Sequence, residues 1–169
     1  MNALVIVFRL LHIVSGVFWV GGAMFNAMFL APAVAATGEA GQKMMGHLIT
    51  KGKMSVRVTI AAIVTVLAGA VLYWKDSGGL TSGWTTSAAG VGFGIGALFA
   101  LVGLGTGMMV GQNAAKLGKI AAAAQGKPSP DQMAQMQAAQ KQLGFFSRVS
   151  TVALVLALAC MATARYWGV

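Results

Sequence analysis

A stripe of polar and small residues runs along the first apolar segment of this chain. Its members recur every three or four residues, so they share one face of a helix. The stripe consists of Arg9, His12, Gly16, Trp19, Ala23 and Asn26. Ionisable side chains are costly at membrane depth and normally turn towards a protein interior or a binding site. The stripe therefore predicts where a functional site of this protein lies.

His12 can play two kinds of role on this stripe. As a structural residue, its imidazole would hydrogen-bond to a backbone carbonyl, or to a hydroxyl such as that of Ser15, and hold the bundle together. As a functional residue, it would ligate haem iron or copper, or relay a proton. For haem b, Gly16 leaves room beside the imidazole for a flat ring, and Arg9 lies one turn outward to neutralise a propionate. The predicted cofactor-binding residues are His12, Arg9, Gly16, Trp19 and Met161, with His12 as the metal ligand.

A second haem ligand has to come from another residue at the depth of His12. His47 cannot serve, because it falls between two lysines on the polar face of a cytoplasmic segment. Counting inward from Trp167, Cys160 and Met161 reach roughly the level of His12, so ligation by histidine and methionine is geometrically possible. The alternative for both residues is lipid contact or helix packing. The 11 methionines allow copper(I) as an alternative metal.

Other chemistries lack the residues that they require. The single cysteine, Cys160, excludes an internal disulfide and a Cys-x-x-Cys motif. The three acidic residues, Glu39, Asp76 and Asp131, all fall in or beside loops, so carboxylate-based hydrolysis or proton coupling inside a membrane is unsupported. The sequence therefore offers no candidate catalytic residue.

The composition is that of a membrane protein. With 57% hydrophobic and 9% charged residues, the chain has more apolar surface than one soluble core can bury. Four segments reach or approach the roughly 20 residues that cross a bilayer, namely 3–30, 54–74, 87–115 and 145–164. The first is longer than the roughly 7–15 apolar residues of a signal peptide, so we expect it to be retained. We predict an all-α fold, an integral membrane four-helix bundle.

The positive charges predict the orientation. Nine of the 12 Lys and Arg residues occupy or flank the loops between spans one and two and between spans three and four. The positive-inside rule then places both long loops in the cytoplasm and both termini outside. Anionic lipids on the cytoplasmic side explain the net charge of +9, so nucleic acid is not an expected partner.

Both cytoplasmic loops are predicted to be helical. Residues 38–51 place apolar side chains on one face and basic ones on the other, which is typical of an amphipathic helix at the headgroups. In the second loop, Gly126 can end one helix and Ser129 can cap the next, with Pro130 at its first position. We therefore expect helices three and four to extend past the membrane as a cytoplasmic hairpin.

Small residues also form a stripe along the third span, at intervals of three or four residues. The glycines predicted to mediate helix packing are Gly92, Gly96, Gly103, Gly107 and Gly111, with Ala100 among them. Such a stripe lets another backbone or a flat ligand approach closely. A helix of the same bundle is the favoured occupant, ahead of a second copy of the chain and of a ligand.

The first 75 or so residues resemble a group of small bacterial membrane proteins. The features that they share are Leu11-His12, Trp19-Val20-Gly21-Gly22, Pro32, the basic amphipathic segment after it, and Leu67-Ala68-Gly69. The group includes the copper-resistance D domain and the four-helix protoporphyrinogen oxidase of haem synthesis, with several uncharacterised relatives. The resemblance implies a four-helix membrane fold and haem binding by His12. It does not extend to the oxidase activity, because Ala23-Met24-Phe25-Asn26 replace the aromatic and basic residues of that enzyme.

Two functions therefore remain open. The chain either binds a redox cofactor, with haem b favoured and copper handling as the alternative, or serves as an accessory or assembly subunit of a larger membrane complex. A homo-oligomer is compatible with both. An absorption spectrum separates the two functions, because a haem protein has a Soret band and a scaffold subunit is colourless.

Overall fold

The chain folds into α-helices joined by short turns. The computed structural model describes residues 3–124 and 128–168. The α-helices in these ranges are α1 (Ala3–Phe25), α2 (Ala31–Thr37), α3 (Glu39–Thr50), α4 (Met54–Asp76), α5 (Ala88–Ala123) and α6 (Pro130–Thr163). The described residues include no β-strand, so the predicted all-α four-helix fold is confirmed. By length and composition, four helical stretches within these ranges are able to cross a membrane, as expected of a multi-pass membrane protein.

The four long helices are arranged as two pairs. α1 packs mainly against α4, and α5 packs mainly against α6. The pairs meet at a small core in which Trp19 of α1 and Leu154 of α6 pack with Ala61 and Ala62 of α4. They meet again near the 77–87 loop, where the Tyr73 hydroxyl donates to the Gly90 carbonyl over 3.3 Å. The contact between the pairs is therefore less extensive than the contact within each pair.

The helical path of α1 continues beyond Leu30. A π-helical turn over Asn26–Leu30 connects α1 directly to α2, and the Ala31 amide donates to the Asn26 carbonyl five residues earlier. Pro32 lies in the first turn of α2, where its missing amide hydrogen and its ring would disturb a regular α-helix. The wider π turn accommodates this proline without ending the helix. The path ends at Gly38, whose φ of +56° suits glycine.

α3 is a separate helix that lies within the segment predicted to be amphipathic. Its first turn holds an exposed ion pair between Glu39 and Lys43, with 2.8 Å between Nζ and Oε1. The acidic partner also lies near the positive end of the helix dipole. α3 therefore has local stabilisation at its start, and Lys53 at a φ of 49° marks the beginning of α4.

α5 and α6 are much longer than a bilayer requires. Their 36 and 34 residues correspond to about 54 and 51 Å of helix, against about 30 Å of hydrocarbon. The predicted helical extension of both helices is therefore present. α6 begins with a capping box, in which Ser129 Oγ accepts from the Gln132 amide and Gln132 Oε1 accepts from the Ser129 amide. Gly126 and Lys127, predicted to belong to the preceding turn, lie outside the described residues.

The glycine stripe of α5 faces α6 along most of its length. A Cβ atom at Gly96 or Gly103 would lie 2.8 or 2.6 Å from a side-chain carbon of α6, and one at Gly92 would lie 2.9 Å from Cβ of Ala164, directly after α6, so only glycine permits this approach. A Cβ at Gly107 would meet Ser150 Oγ at an ordinary 3.7 Å, and one at Gly111 would meet no atom within 4 Å. The contact thus ends before Gly111, because each step of four residues turns the stripe by about 40° beyond a full rotation.

Candidate functional site

His12 makes the central polar contact between α1 and α4. Its Nδ1–H donates to the Thr65 carbonyl oxygen over 2.8 Å. The imidazole ring lies over Gly69, where a Cβ atom would be only 2.8 Å from Cε1 and 2.9 Å from Nδ1. Glycine at position 69 is therefore what gives the ring access to the carbonyl one turn earlier on α4.

Two hydroxyl groups extend this contact into a small cluster. Thr65 is buried, and its hydroxyl donates to the Ala61 carbonyl over 2.7 Å. Ser15 Oγ lies 2.8 Å from Thr65 Oγ1 and also hydrogen-bonds with the Leu11 carbonyl. We call His12, Ser15, Thr65 and Gly69 the α1–α4 polar cluster. Its hydrogen bonds join two apolar helices at a depth where unpaired polar groups would be costly.

Gly16, Trp19 and Ala23 of the first-helix stripe also face the protein, whereas Arg9 does not. Gly16 lies against Thr65, whose Cγ2 would be 3.4 Å from a Cβ at position 16. Trp19 is only 4% exposed in the core shared with α4 and α6, and Ala23 packs against that core. Arg9, one turn outward from His12, is exposed. Gly16 and Trp19 therefore set the spacing of the helices around His12.

One nitrogen of His12 remains available for a ligand. When Nδ1 of a neutral imidazole carries the hydrogen, Nε2 carries the lone pair. Nε2 has no hydrogen-bond partner among residues 3–124 and 128–168. No fully buried side-chain nitrogen or oxygen lacks a hydrogen-bond partner in the described residues, so the unbonded Nε2 is not fully enclosed by the protein. The geometry thus fixes one tautomer of His12 and presents a donor atom suited to a metal.

Met161 occupies a different helix pair from His12. Its Cγ would be 2.8 Å from a Cβ at Gly96, so the side chain packs against α5, whereas His12 contacts α4. Cys160 also lies beside Gly96. The structure therefore does not bring Met161 into the α1–α4 polar cluster. Across the described parts of the chain, no group of three or more His, Cys, Asp or Glu side chains is placed to hold a metal ion.

Thr65 and Gly69 are members of the cluster that the sequence did not single out as site residues. Their signal is a threonine and a glycine one turn apart on the second span. Residues at this spacing lie on the same helix face, so the missing side chain of the glycine leaves room next to the polar threonine. It becomes informative only when the partner helix and its register are known.

The fold and the cluster define a multi-pass, four-helix membrane protein with a histidine-centred contact between its first two long helices. No family model, no curated protein and no solved structure matches this chain. Its function is therefore inferred from its own residues and their geometry.

Proposed function

We propose that this chain is an integral membrane protein that binds haem b through His12 Nε2. The supporting observation is the hydrogen bond from His12 Nδ1–H to the Thr65 carbonyl. Metal-ligating histidines commonly donate their other ring N–H to a carbonyl, which fixes the tautomer and the orientation of the ring. The resemblance of the first 75 or so residues to haem-synthesis membrane proteins points to the same histidine. Bound haem b would supply one-electron redox chemistry.

Arg9 is the residue proposed to meet a haem propionate. It lies on the same helix face as His12, one turn outward, and its side chain is exposed. The one ion pair among the described residues joins Lys43 to Glu39, so Arg9 has no acidic partner there. A guanidinium binds a carboxylate with two parallel hydrogen bonds. Arg9 would therefore hold the polar edge of the ring near the membrane surface.

Haem loading tests the proposal directly. Protein expressed with supplemented haem and purified in detergent should show a Soret band, and His12→Ala should abolish it. Added imidazole should restore the band of His12→Ala, because it can occupy the vacated ligand position. The control is His47→Ala, which removes an exposed histidine outside the cluster and should leave the band unchanged.

The outcomes of this experiment are distinct. A colourless wild-type protein would overturn haem binding, and metal analysis would then test for copper. Met161→Ala should shift the spectrum while retaining haem if Met161 supplies the second ligand. An unchanged spectrum would exclude that role, in agreement with the position of Met161 against α5.

The second candidate function is that of a non-catalytic accessory or assembly subunit of a larger membrane complex, which a homo-oligomer of this chain could also form. The same contact favours this function, because the hydrogen bond from His12 to Thr65 and the packing of the ring on Gly69 hold α1 against α4 without any ligand. The outer face of α1 is apolar and open, with Val14 66% and Val17 67% exposed. An intact, colourless protein whose detergent-corrected mass exceeds that of one chain would support this function.

We also propose that both termini face outward in a bacterial inner membrane, with anionic lipids at the opposite, cytoplasmic surface. The support is the distribution of Lys and Arg between the two sides of the chain. A reporter active only in the cytoplasm should be inactive when fused to the C-terminus and active when inserted in the loop before α4. Activity at the C-terminus would reverse the proposed orientation.

A further inference from the structure

A cleft opens between α5 and α6 in the half of the hairpin farther from the 77–87 loop, before the two helices reach their connecting turn. Its volume is about 570 Å³. It is lined by Met109, Gln112, Asn113, Lys116, Lys141, Gln142, Phe145 and Phe146. Two lysines and three amide side chains thus stand next to two aromatic rings. This mixture suits a ligand with an anionic head and an apolar body.

A second cleft continues along the same side of the two helices. Its volume is about 400 Å³, and its lining is apolar apart from one arginine. The lining residues are Phe99, Val102, Arg148, Val149, Val152, Ala153 and Leu156. Val102, Met109 and Lys116 recur every seven residues, or about two turns, so both clefts lie on one face of α5. We call the two clefts together the α5–α6 groove.

We propose that the α5–α6 groove binds one anionic phospholipid, with its phosphate at Lys116 and Lys141 and an acyl chain along Val102 and Val152. The length of the groove fits this ligand. Lys116 and Val102 are about 21 Å apart along the helix, compared with about 15 Å for the hydrocarbon of one leaflet. The difference leaves room for the phosphate and glycerol at the polar end. This inference is independent of haem binding.

The charges favour a lipid over the other occupants of such a groove. No acidic side chain neutralises Lys116, Lys141 or Arg148 within the residues that the structure describes. A second copy of the chain seated there would bring like charges together. Phe145 and Val152 are 61% and 59% exposed, and they present apolar surface that an acidic soluble ligand would not cover. An anionic phospholipid satisfies both halves of the groove.

Native mass spectrometry of the purified full-length protein tests the proposal. The protein is exchanged into detergent with equal amounts of phosphatidylglycerol and phosphatidylcholine. We expect the wild type to retain one phosphatidylglycerol in preference to phosphatidylcholine. The double variant Lys116→Gln/Lys141→Gln should lower this retention by about 30-fold, because each lysine contributes about 1 kcal/mol of attraction to an anionic headgroup, or about fivefold in affinity. The matched control Lys75→Gln/Lys119→Gln has the same net charge as the Lys116→Gln/Lys141→Gln variant, but it should retain the lipid as the wild type does.

A second pair of variants tests the apolar half of the groove. Val152→Trp fills the second cleft and should reduce retention without changing the charge. Leu158→Trp adds the same ring at an exposed site outside the cleft and should have no effect. Inorganic phosphate at millimolar concentration should not displace the lipid.

Three results would each overturn the proposal. Equal retention by the Lys116/Lys141 variant and the wild type would show that the groove does not bind the headgroup. An equal loss in the Lys75/Lys119 control would show that net charge alone attracts the lipid. Displacement by inorganic phosphate would identify a site for a soluble anion instead.

Discussion

Gly103→Leu should destabilise the detergent-solubilised protein by about 3 kcal/mol. A Cβ atom at position 103 would lie 2.6 Å from Leu154 Cδ2 and 2.8 Å from its Cγ, and Leu154 is only 1% exposed. The new leucine and Leu154 would occupy the same space, so they force α5 and α6 apart. Overpacking of this kind typically costs about 1–3 kcal/mol. Separation would also break the 3.0 Å hydrogen bond from the Ser150 hydroxyl to the Gly103 carbonyl. Thermal unfolding in detergent measures the effect.

Gly111→Leu is the matched control for this substitution. It makes the same change on the same helix, at an exposed position with no atom within 4 Å of the new Cβ. We expect its stability to match that of the wild type, whereas Gly107→Ala should have a small effect. If Gly103→Leu and Gly111→Leu unfold at the same temperature, α6 does not lie against the glycine stripe.

Gly69→Val should displace His12 from the Thr65 carbonyl. The new Cβ would occupy the space of His12 Cε1 and Nδ1, so the imidazole has to rotate out of the helix interface and lose its hydrogen bond. We expect a loss of about 2–3 kcal/mol from the clash and the unpaired polar groups. If His12 ligates haem, the Soret band should be lost together with this stability.

A double-mutant cycle separates a specific clash from a general helix defect. Adding His12→Ala to Gly69→Val should restore part of the stability, because the valine then fills the space that the ring leaves. Gly21→Val is the control for a β-branched residue in a helix, since no atom lies within 4 Å of its Cβ. Additive losses in the double variant would show that His12 does not lie over Gly69.

The sequence predicted the helices more completely than their mutual orientation. Apolar length predicted four long helices, and small-residue spacing predicted the close contact of the third with another helix. The spacing did not show that the stripe turns away from α6 at Gly111, because that depends on where the partner helix lies. The first span was predicted to cover residues 3–30, but a π turn over Asn26–Leu30 connects it directly to α2, so the helical path continues to Thr37.

For the candidate site, the sequence likewise predicted the depth of residues along the helices but not which neighbouring helix each side chain contacts. Counting residues from the ends of the spans placed His12 and Met161 at similar depths, since helical rise per residue is fixed. It could not show that Met161 points at α5 while His12 points at α4. Thr65 and Gly69 were missed as site residues for the same reason. Their role depends on the register between two helices, which one sequence does not determine.

The pairing of the helices has a consequence for how the protein is made. The first 76 residues contain α1 and α4 with their own polar contact through His12, and the later residues contain α5 and α6 with the Ser150 contact. Each half can therefore satisfy its buried polar groups before it meets the other half. We expect the ribosome to deliver two helical hairpins that enter the bilayer in succession. Their later association would be guided by Trp19 and Leu154, whose side chains meet across the boundary between the hairpins.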